Sequence, residues 1–418
     1  MGQGGPGLEL ELRPVGPEEV AEFLRAEHLP FGLVLDEAEL GAQAGLLELD
    51  RSLAAFCRGQ IVGTAGAHTL ELSVPGGVLP AAGVAYVGVS PTHRRRGVLR
   101  ALMGRQLEDL RRRGEALAVL TASEGGIYGR FGYGVATFFG HFLLDRARAV
   151  PSGRRPDGGR VEMVDPEQAQ GALAEVFDEV RARRPGEVSR SPAWWASYLA
   201  EGRGRGRPSF CALRLGPDGR VDGYALYRVE RSEDPERAGD PLAASPTTVV
   251  SELVACGPPA LAALFDFVLG VDLSQRVRLL NRPLDDPLRW LLTDPRQYRL
   301  EWASDRLWVR LVDLPAALVG RAWAGAGSLT LEVEDAACPW NRGTWAVEAS
   351  PEGAEVAQTS RAPELSLGAA ELGSAYLGGV RLSALAAAGR LVEHRPGAAA
   401  RADRLLGLGP EPFCSTHF

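Results

Sequence analysis

Lysine is absent from the 418-residue sequence, so all 46 basic side chains are arginines, against 53 aspartates and glutamates. The formal net charge at neutral pH is −7. This balance argues against a general nucleic-acid-binding protein, because neutralising phosphates requires a broadly basic face. Any basic patch must therefore be local.

Cysteine is scarce: Cys57, Cys211, Cys256, Cys338 and Cys414 are odd in number and widely spaced. None forms a Cys-x-x-Cys pair, and the six histidines have no metal-ligand spacing. The sequence therefore predicts neither a disulfide framework nor a metal site. Such a composition fits a reducing, cytoplasmic environment.

Long hydrophobic runs are also missing. No stretch approaches the roughly 20 apolar residues that a transmembrane helix needs. The first six residues, Met1–Pro6, lack the basic and apolar regions of a secretory signal. We therefore expect a soluble cytoplasmic protein that does not insert into membranes.

Hydrophobic residues make up 45% of the chain and charged residues 24%, a composition that can bury substantial cores. At roughly 100–200 residues per domain, the length predicts about three domains. A segment rich in Pro, Gly and Arg at 145–159 indicates a linker, and strand-like patterns become more frequent from about Tyr298. These two features divide the chain into domains 1–150, 151–297 and 298–418. The order of strands and helices predicts α/β folds for the first two and an α+β fold for the third.

The most informative segment joins a predicted strand, Val84–Val89, to an amphipathic helix through Arg94-Arg95-Arg96-Gly97. The first turn of a helix leaves backbone N–H groups unpaired, and a glycine lets a ligand approach the main chain. Arginines add charge-assisted bonds to phosphate oxygens, so this turn suits a pyrophosphate. We expect Arg95 and Arg96 to flank the phosphates and Arg94 to lie at the rim. A solvated basic helix start is the alternative.

A second block, with the sequence ASEGGIYGRFGYG, spans residues 122–134. Together with PTHRRRGVLR at residues 91–100, it resembles the Eis (enhanced intracellular survival) acetyltransferases of the GNAT superfamily. The acetyl-CoA motif of that superfamily is Arg/Gln-x-x-Gly-x-Gly/Ala, and Leu99 departs from its small last residue. The resemblance is sharp over residues 86–137 and architectural elsewhere.

The resemblance implies tandem GNAT folds, the second degenerate, then a sterol-carrier-like domain, with assembly as a homohexamer. The turn at residues 253–259 agrees with a degenerate site, since it has neither arginines nor spaced glycines. The implied activity is acetyl-CoA-dependent N-acetylation of a small amine substrate such as an aminoglycoside, at several positions. Acetylation of lysine side chains in peptides or proteins is one alternative. A lipid- or sterol-binding module with a vestigial transferase is another.

By the same resemblance, acetyl-CoA would lie along the strand end, over the basic turn and against the second block. The implied binding residues are Val87, Gly88, Val89, Arg95, Arg96, Gly97, Val98, Leu99, Arg100, Ser123 and Glu124. The strand would contact the pantetheine through its main chain, as an added strand would. Core packing is an alternative for the two valines, and helix capping is an alternative for Ser123.

The resemblance also assigns the two catalytic groups. Tyr128 would be the general acid, because a phenol can protonate a departing thiolate once water is excluded. A packing role for Tyr128 is the alternative, and Tyr133 is a competing acid for which we favour packing. The α-carboxylate of Phe418 would be the general base. Since its pKa of about 3.5 makes it a weak base, it would act through water or hold the ammonium. A frayed tail is the alternative.

His417 weakens the expectation of a polycationic substrate, because aminoglycoside-acetylating relatives tend to carry an acidic residue in that stretch. Other carboxylates could supply an acidic wall, although a solvated helix face is the simpler interpretation for them. These residues are Glu18, Glu19, Glu22, Glu27, Asp36, Glu37 and Glu39.

Overall fold

The computed structural model describes residues 9–153, 157–204, 210–232 and 245–418. The segment Met1–Pro6, and Arg154 and Pro156 of the predicted linker, lie outside the described residues. The chain forms two compact units. The first contains the described residues up to Ala136, Leu307–Gly409 and His417–Phe418, and the second contains the described residues of Thr137–Arg306 and Pro410–Thr416.

The strands are β1 (Glu11–Arg13), β2 (Leu53–Cys57), β3 (Gln60–Val74), β4 (Gly77–Val89), β5 (Leu117–Thr121), β6 (Gly134–Val135), β7 (Phe138–Asp145), β8 (Arg160–Val164), β9 (Phe210–Leu215), β10 (Val221–Ser232), β11 (Ser245–Ala255), β12 (Arg276–Arg282), β13 (Arg299–Asp305), β14 (Leu307–Leu311), β15 (Gly327–Glu334), β16 (Gly343–Ser350), β17 (Gly353–Gln358), β18 (Leu365–Gly368) and β19 (Leu391–Glu393). The α-helices are α1 (Val20–His28), α2 (Glu37–Ala44), α3 (Val98–Arg112), α4 (Gly125–Tyr128), α5 (Gln170–Arg181), α6 (Pro192–Gly204), α7 (Pro258–Leu269), α8 (Leu314–Val319), α9 (Ala369–Ala375), α10 (Leu382–Ala387) and α11 (Ala398–Leu406).

The first unit is built on a sheet with the order β1-β2-β3-β4-β5-β14-β6. Strands β3 and β4 form a long antiparallel hairpin, and α3 connects β4 to the parallel strand β5. The apolar spacing that predicts a helix after the basic turn is confirmed, because Leu102, Met103 and Leu107 of α3 are completely buried. The β4-α3-β5 crossover brings the carboxyl ends of β4 and β5 to the same edge of the sheet.

Strand β14 completes this sheet from 186 residues further along the chain, counted from Thr121 to Leu307. It pairs antiparallel with β5 on one side and with β6 on the other. Its Arg310 is fully buried and donates to both oxygens of Asp335 at 2.6–2.7 Å. Burying this charge is tolerable because a carboxylate faces it. A distant part of the sequence thus forms the core of the first sheet.

The first unit has a second sheet, with the order β17-β16-β15-β18-β19. Most of its strands pair antiparallel, and β15 and β18 pair in parallel. Helix α9 packs so closely on the first sheet that a Cβ on Gly373 would lie 2.2 Å from the Val309 carbonyl oxygen. The α+β fold predicted for residues 298–418 is confirmed, although residues 299–305 pair in the sheet of the second unit.

The second unit contains a sheet with the order β13-β7-β12-β11-β10-β9-β8. Strand β7 lies between β13 and β12, and Phe142 of β7 stacks on Tyr298 with ring centroids 4.3 Å apart. Helix α7 covers the sheet with its buried residues Leu264, Phe265 and Val268.

The unit boundaries differ from the sequence boundaries at 150 and 297. Residues 138–145 pair in the second sheet although they precede the predicted linker, and residues 299–305 pair there as well. The units divide at 136 and 306 instead. Composition marks where a chain is polar, but it does not reveal which sheet accepts a strand.

Within the described ranges, no helix combines the length and the apolar composition required to cross a membrane.

Substituting Gly373 by alanine should destabilise the protein by about 1–3 kcal/mol, because the new methyl group would collide with backbone rather than with a movable side chain. The matched control is Gly104→Ala in α3, where a Cβ would have no atom within 4 Å. That change should leave stability unaltered or raise it by up to about 1 kcal/mol, the helix preference for alanine over glycine. Urea unfolding midpoints of the two variants would measure the contrast, and equal midpoints would contradict it.

Candidate active site

The candidate site lies where β4 and β5 part. The two parallel strands pair only at Ala81–Gly83 with Leu117–Val119. Beyond these three pairs, β4 continues along β3 to Val89, whereas β5 continues along β14 to Thr121. The strands therefore leave a wedge between them that opens toward their carboxyl ends.

The main chain of β4 faces this wedge at alternate residues. Ser90 N donates to Val62 O of β3 at 3.0 Å, and alternation along an antiparallel strand then directs Val87 and Val89 away from β3. Gly88 is buried, and a Cβ there would lie 2.9 Å from the Glu27 carbonyl oxygen. Gly88 therefore admits the end of α1, while the neighbouring valines offer main-chain groups to a ligand.

The basic turn has the geometry of an anion-binding loop. Arg95 and Gly97 have positive φ angles of 61° and 87°, which turn the chain sharply into α3. The first helical bond runs from Ala101 N to Gly97 O, so the N–H groups of Val98, Leu99 and Arg100 precede the helical ladder and are available to a ligand.

The arginines of this turn differ in their partners. Arg94 donates to the Pro30 carbonyl oxygen at 3.2 Å, consistent with a place at the rim. Arg95, Arg96 and Arg100 are exposed, and no carboxylate of the described residues forms an ion pair with them. Their charges are thus available for phosphate oxygens.

Two implied cofactor residues contribute to the core. Val98 is 1% exposed, and Leu99 packs against the cluster that contains Tyr128. Any contact that Val98 makes with a ligand is therefore through its main chain. The larger Leu99 side chain is accommodated because it faces this apolar cluster.

The second block follows β5 directly. Ser123 and Glu124 are exposed. Glu124 is the N-cap residue of α4, and its side chain makes no capping hydrogen bond. Ser123 is therefore not the cap of this helix. Helix α4 then ends at Tyr128, which is 6% exposed.

The two tyrosines of this block have different surroundings. Burial, reinforced by the charges of Glu124 and Glu27, raises the pKa of Tyr128 to about 12. Tyr133 is completely buried in the same cluster, and burial raises its pKa even further. Since its hydroxyl has no hydrogen-bond partner among the described residues, Tyr133 has the environment of a packing residue.

Phe418 lies at the base of the wedge. A Cβ on Gly83, the last β4 residue paired with β5, would lie 3.0 Å from the Phe418 ring. The ring is perpendicular to that of His68, with centroids 6.4 Å apart. Thr121 Oγ1, at the end of β5, is 3.5 Å from the main-chain oxygen of Phe418. The first unit thus brings Phe418 to the strands that carry the other predicted residues.

Tyr86 and His68, for which the sequence suggested no role, and Glu27, a candidate for the acidic wall, belong to the same region. Tyr86 has a φ of 55° at a β-bulge between β3 and β4, and its ring lies 5.3 Å from that of His68. Burial lowers the pKa of His68, which favours its neutral form. Glu27 Oε2 lies 2.5 Å from His28 Nδ1. No sequence signal marks a bulge of this kind, because Tyr86 is part of an ordinary strand pattern.

The charges of nearby carboxylates act on Tyr86 and Tyr128. Burial raises the pKa of Glu27, opposed by His28. The charges of Glu27 and Glu48 add to the effect of burial in raising the pKa of Tyr86. Of the seven carboxylates considered as an acidic wall, Glu27 is thus the one whose charge acts on both Tyr86 and Tyr128.

Among the described residues, we find no group of three or more His, Cys, Asp or Glu side chains that could hold a metal ion.

Comparison with protein families gives three matches along the chain. Acetyltransferase (GNAT) domains match residues 11–136 and residues 186–311. A sterol carrier protein domain matches residues 314–415. The three matches agree with the predicted succession of two GNAT folds and a sterol-carrier-like domain.

Individual relatives match over most of their length. An uncharacterized N-acetyltransferase of Streptomyces coelicolor is 42% identical, over 97% of this chain and 99% of that protein. The N-acetyltransferase Eis of Mycobacterium tuberculosis is 39% identical over 79% of each chain. The crystal structure of Eis1 from Mycobacterium abscessus superposes with a TM-score of 0.85 at 36% identity, covering 98% of this chain and all of that one.

Proposed function

The chain belongs to the Eis family of GNAT N-acetyltransferases, and from this membership we propose that it transfers the acetyl group of acetyl-CoA to primary amines of small polyamine-type substrates such as aminoglycosides, at more than one amine. The observation that carries the proposal is the wedge between β4 and β5. An anion-binding turn follows one of its edges, and Tyr128 and Phe418 belong to the same unit.

The residues of the wedge fit coenzyme A in two respects. The free N–H groups at the start of α3, with Arg95 and Arg96 beside them, suit the charge and the acceptors of a pyrophosphate. The outward main chain of Val87 and Val89 suits the amides of a pantetheine arm, which can pair with a strand edge. When bound, acetyl-CoA supplies the activated acetyl thioester.

Tyr128 is the proposed general acid. With a pKa of about 12, its hydroxyl keeps its proton at neutral pH. An exposed thiol has a pKa near 8.5 and would be a poor match. Burial raises thiol pKa values too, and it raises that of Cys338, in the same cluster, to about 11. A departing thiolate buried to a similar degree would be close in basicity to the phenolate of Tyr128, so that proton transfer between them carries only a small free-energy cost.

The α-carboxylate of Phe418 is the proposed group that orients the acceptor amine. A carboxylate binds an ammonium strongly and can receive its proton through water. Glu27 and Glu48 add negative charge nearby, which favours substrates with several amino groups and can offset the missing acidic residue at His417. The homohexamer remains a prediction from the resemblance, and the cytoplasmic location remains a prediction from the composition.

We expect Tyr128→Phe to lower kcat by about 100-fold or more, the usual contribution of a general acid, with little change in the KM for acetyl-CoA. The pH profile of kcat in the native enzyme should show no alkaline decline up to about pH 10, because the raised pKa keeps the phenol protonated there. Steady-state kinetics between pH 7 and 10 would test both expectations. A decline with an apparent pKa near 10 would contradict the raised pKa of Tyr128, and an unchanged kcat in Tyr128→Phe would exclude it as the acid.

The matched control is Arg95→Ala, which removes a proposed phosphate contact and leaves Tyr128 intact. It should raise the KM for acetyl-CoA with a smaller effect on kcat, the opposite pattern to Tyr128→Phe. If only the stability of Arg95→Ala changed, the phosphate role would be wrong.

Deleting Phe418, or extending the chain with a C-terminal tag, should reduce kcat by about 100-fold while acetyl-CoA still binds. Phe418→Ala is the control, since it keeps a carboxylate at position 418 and removes only the ring. Kinetics and calorimetric titration with acetyl-CoA would separate turnover from binding. Unchanged turnover after deletion would exclude the carboxylate role.

An acceptor screen should show the highest kcat/KM for aminoglycosides and polyamines, with more than one acetyl group per aminoglycoside counted by mass spectrometry. Glu27→Gln should raise the KM for the polyamine, because it removes a negative charge that attracts a cationic acceptor, and it should leave the KM for acetyl-CoA unchanged, because the phosphate contacts stay intact. Faster acetylation of lysine-containing peptides would favour the protein-acetylation alternative.

A further inference from the structure

The second unit lacks the phosphate-binding turn that characterises the first. Its corresponding turn leads from β11 into α7, and α7 begins with Pro258 and Pro259. Proline has no N–H group, so two donors of the first helical turn are missing where α3 has all of its own. The second GNAT unit is therefore free for another role.

In this unit, residues 184–190 hold the C-terminal segment of the chain, and we call them the tail clasp. Phe413 N donates to the Pro185 carbonyl oxygen at 2.8 Å. Arg184 Nε donates to the Glu411 carbonyl oxygen at 2.9 Å. Gly186 has a φ of 100°, and a Cβ there would lie 3.0 Å from both Phe413 N and Phe413 O, so glycine lets the segment pass.

Glu187 provides the acceptors of the tail clasp. Its Oε2 accepts from both Ser415 N and Ser415 Oγ at 2.7 Å. Its Oε1 accepts from Thr416 Oγ1 at 2.7 Å and from Thr416 N at 3.2 Å. Cys414 Sγ, 3.4 Å from Oε1, is a further donor. A carboxylate that is only 5% exposed is thus surrounded by groups of three consecutive tail residues.

Arg190 holds the same hydroxyl groups from the other side. Its Nη2 donates to Ser415 Oγ at 3.0 Å and its Nε to Thr416 Oγ1 at 2.9 Å. The guanidinium is itself fixed by two bonds to Glu252, at 2.7 and 3.1 Å. Each tail hydroxyl therefore accepts from Arg190 and donates to Glu187, which leaves no alternative orientation for it.

The geometry points to Glu187 and Arg190 as positioning residues for catalysis: by fixing Ser415 and Thr416, they hold the chain end so that the Phe418 carboxylate is presented to the acceptor amine. This inference rests on the proposed role of Phe418. The substrate-facing carboxylate follows Thr416 by two residues, and two residues span at most about 7 Å. An anchor at Thr416 therefore restricts Phe418 far more than a free terminus would.

The reactivity of Cys414 can report whether the tail clasp holds the C-terminal segment. Its thiol is completely buried, and burial, with the charge of Glu187, raises its pKa well above the ordinary value. Because the thiolate is the reactive form, Cys414 should resist alkylation while the tail is held and react once it is released. This readout is independent of turnover.

The test compares Glu187→Gln and Thr416→Val with the native full-length enzyme. In Glu187→Gln, the N–H groups of the new amide would face the N–H and O–H donors of Ser415 and Thr416, so hydrogen bonds are lost. In Thr416→Val, the side chain keeps its shape but loses the hydroxyl that Glu187 and Arg190 bind. We expect kcat to fall about 10- to 100-fold, as for a misplaced catalytic group, with the KM for acetyl-CoA unchanged. Cys414 alkylation by N-ethylmaleimide, followed by peptide mass mapping, should become about tenfold faster or more as the tail opens locally.

Glu175→Gln is the matched control, because Glu175 is an exposed residue of α5 and no ion pair involves it in the described structure. It should change neither kcat nor alkylation. The inference would be overturned if both Glu187→Gln and Thr416→Val kept the kcat of the native enzyme, or if both kept its rate of Cys414 alkylation. Deletion of Phe418 separates the two hypotheses. If deletion abolishes turnover while Glu187→Gln and Thr416→Val do not, only the positioning role fails; if deletion has no effect, the proposed role of Phe418 fails.

Discussion

The short pairing of β4 with β5 is the constraint on which the candidate site depends. If the two parallel strands paired to their ends, the main chain of Val87 and Val89 would be consumed by the sheet. Three pairs at Ala81–Gly83 fix the strands side by side, and the bulge at Tyr86 lies in the part of β4 that continues without β5. Unpaired strand edges are otherwise a liability, so a splay of this kind is expected only where a ligand completes the pairing.

Strand β14 keeps the wedge open from the other edge of β5. It occupies the free edge of β5 up to Thr121, so β5 cannot shift to close the wedge without losing that pairing. The buried Arg310–Asp335 pair fixes β14 in turn, and breaking such a pair is costly because it leaves a buried charge uncompensated. Asp335, which lies in the part that matches a sterol carrier protein domain, therefore helps to fix the strand that completes the first sheet.

The local features of the site could be predicted from the sequence. The strand, basic turn and helix at residues 84–112 depend on neighbouring residues, and the structure has them as predicted. The roles of β7 and β14 could not be predicted, because their strand partners lie more than 130 residues away along the chain and leave no periodic signal. The same holds for Tyr86, since a bulge depends on its partner strand. Glu187 and Arg190 were missed because their ligand is a part of the chain more than 220 residues distant.

The two GNAT units differ in what the first turn after a central strand can bind. Helix α3 starts with Val98, Leu99 and Arg100, which retain their N–H groups, whereas α7 starts with Pro258 and Pro259, which have none. Loss of the donors removes the physical basis for phosphate binding, but it leaves the sheet and the buried Arg190–Glu252 pair intact. A GNAT fold without its cofactor turn is still a rigid scaffold with fixed hydrogen-bonding groups. Such a scaffold is suited to orienting a peptide segment, and the segment that it orients here is the end of its own chain.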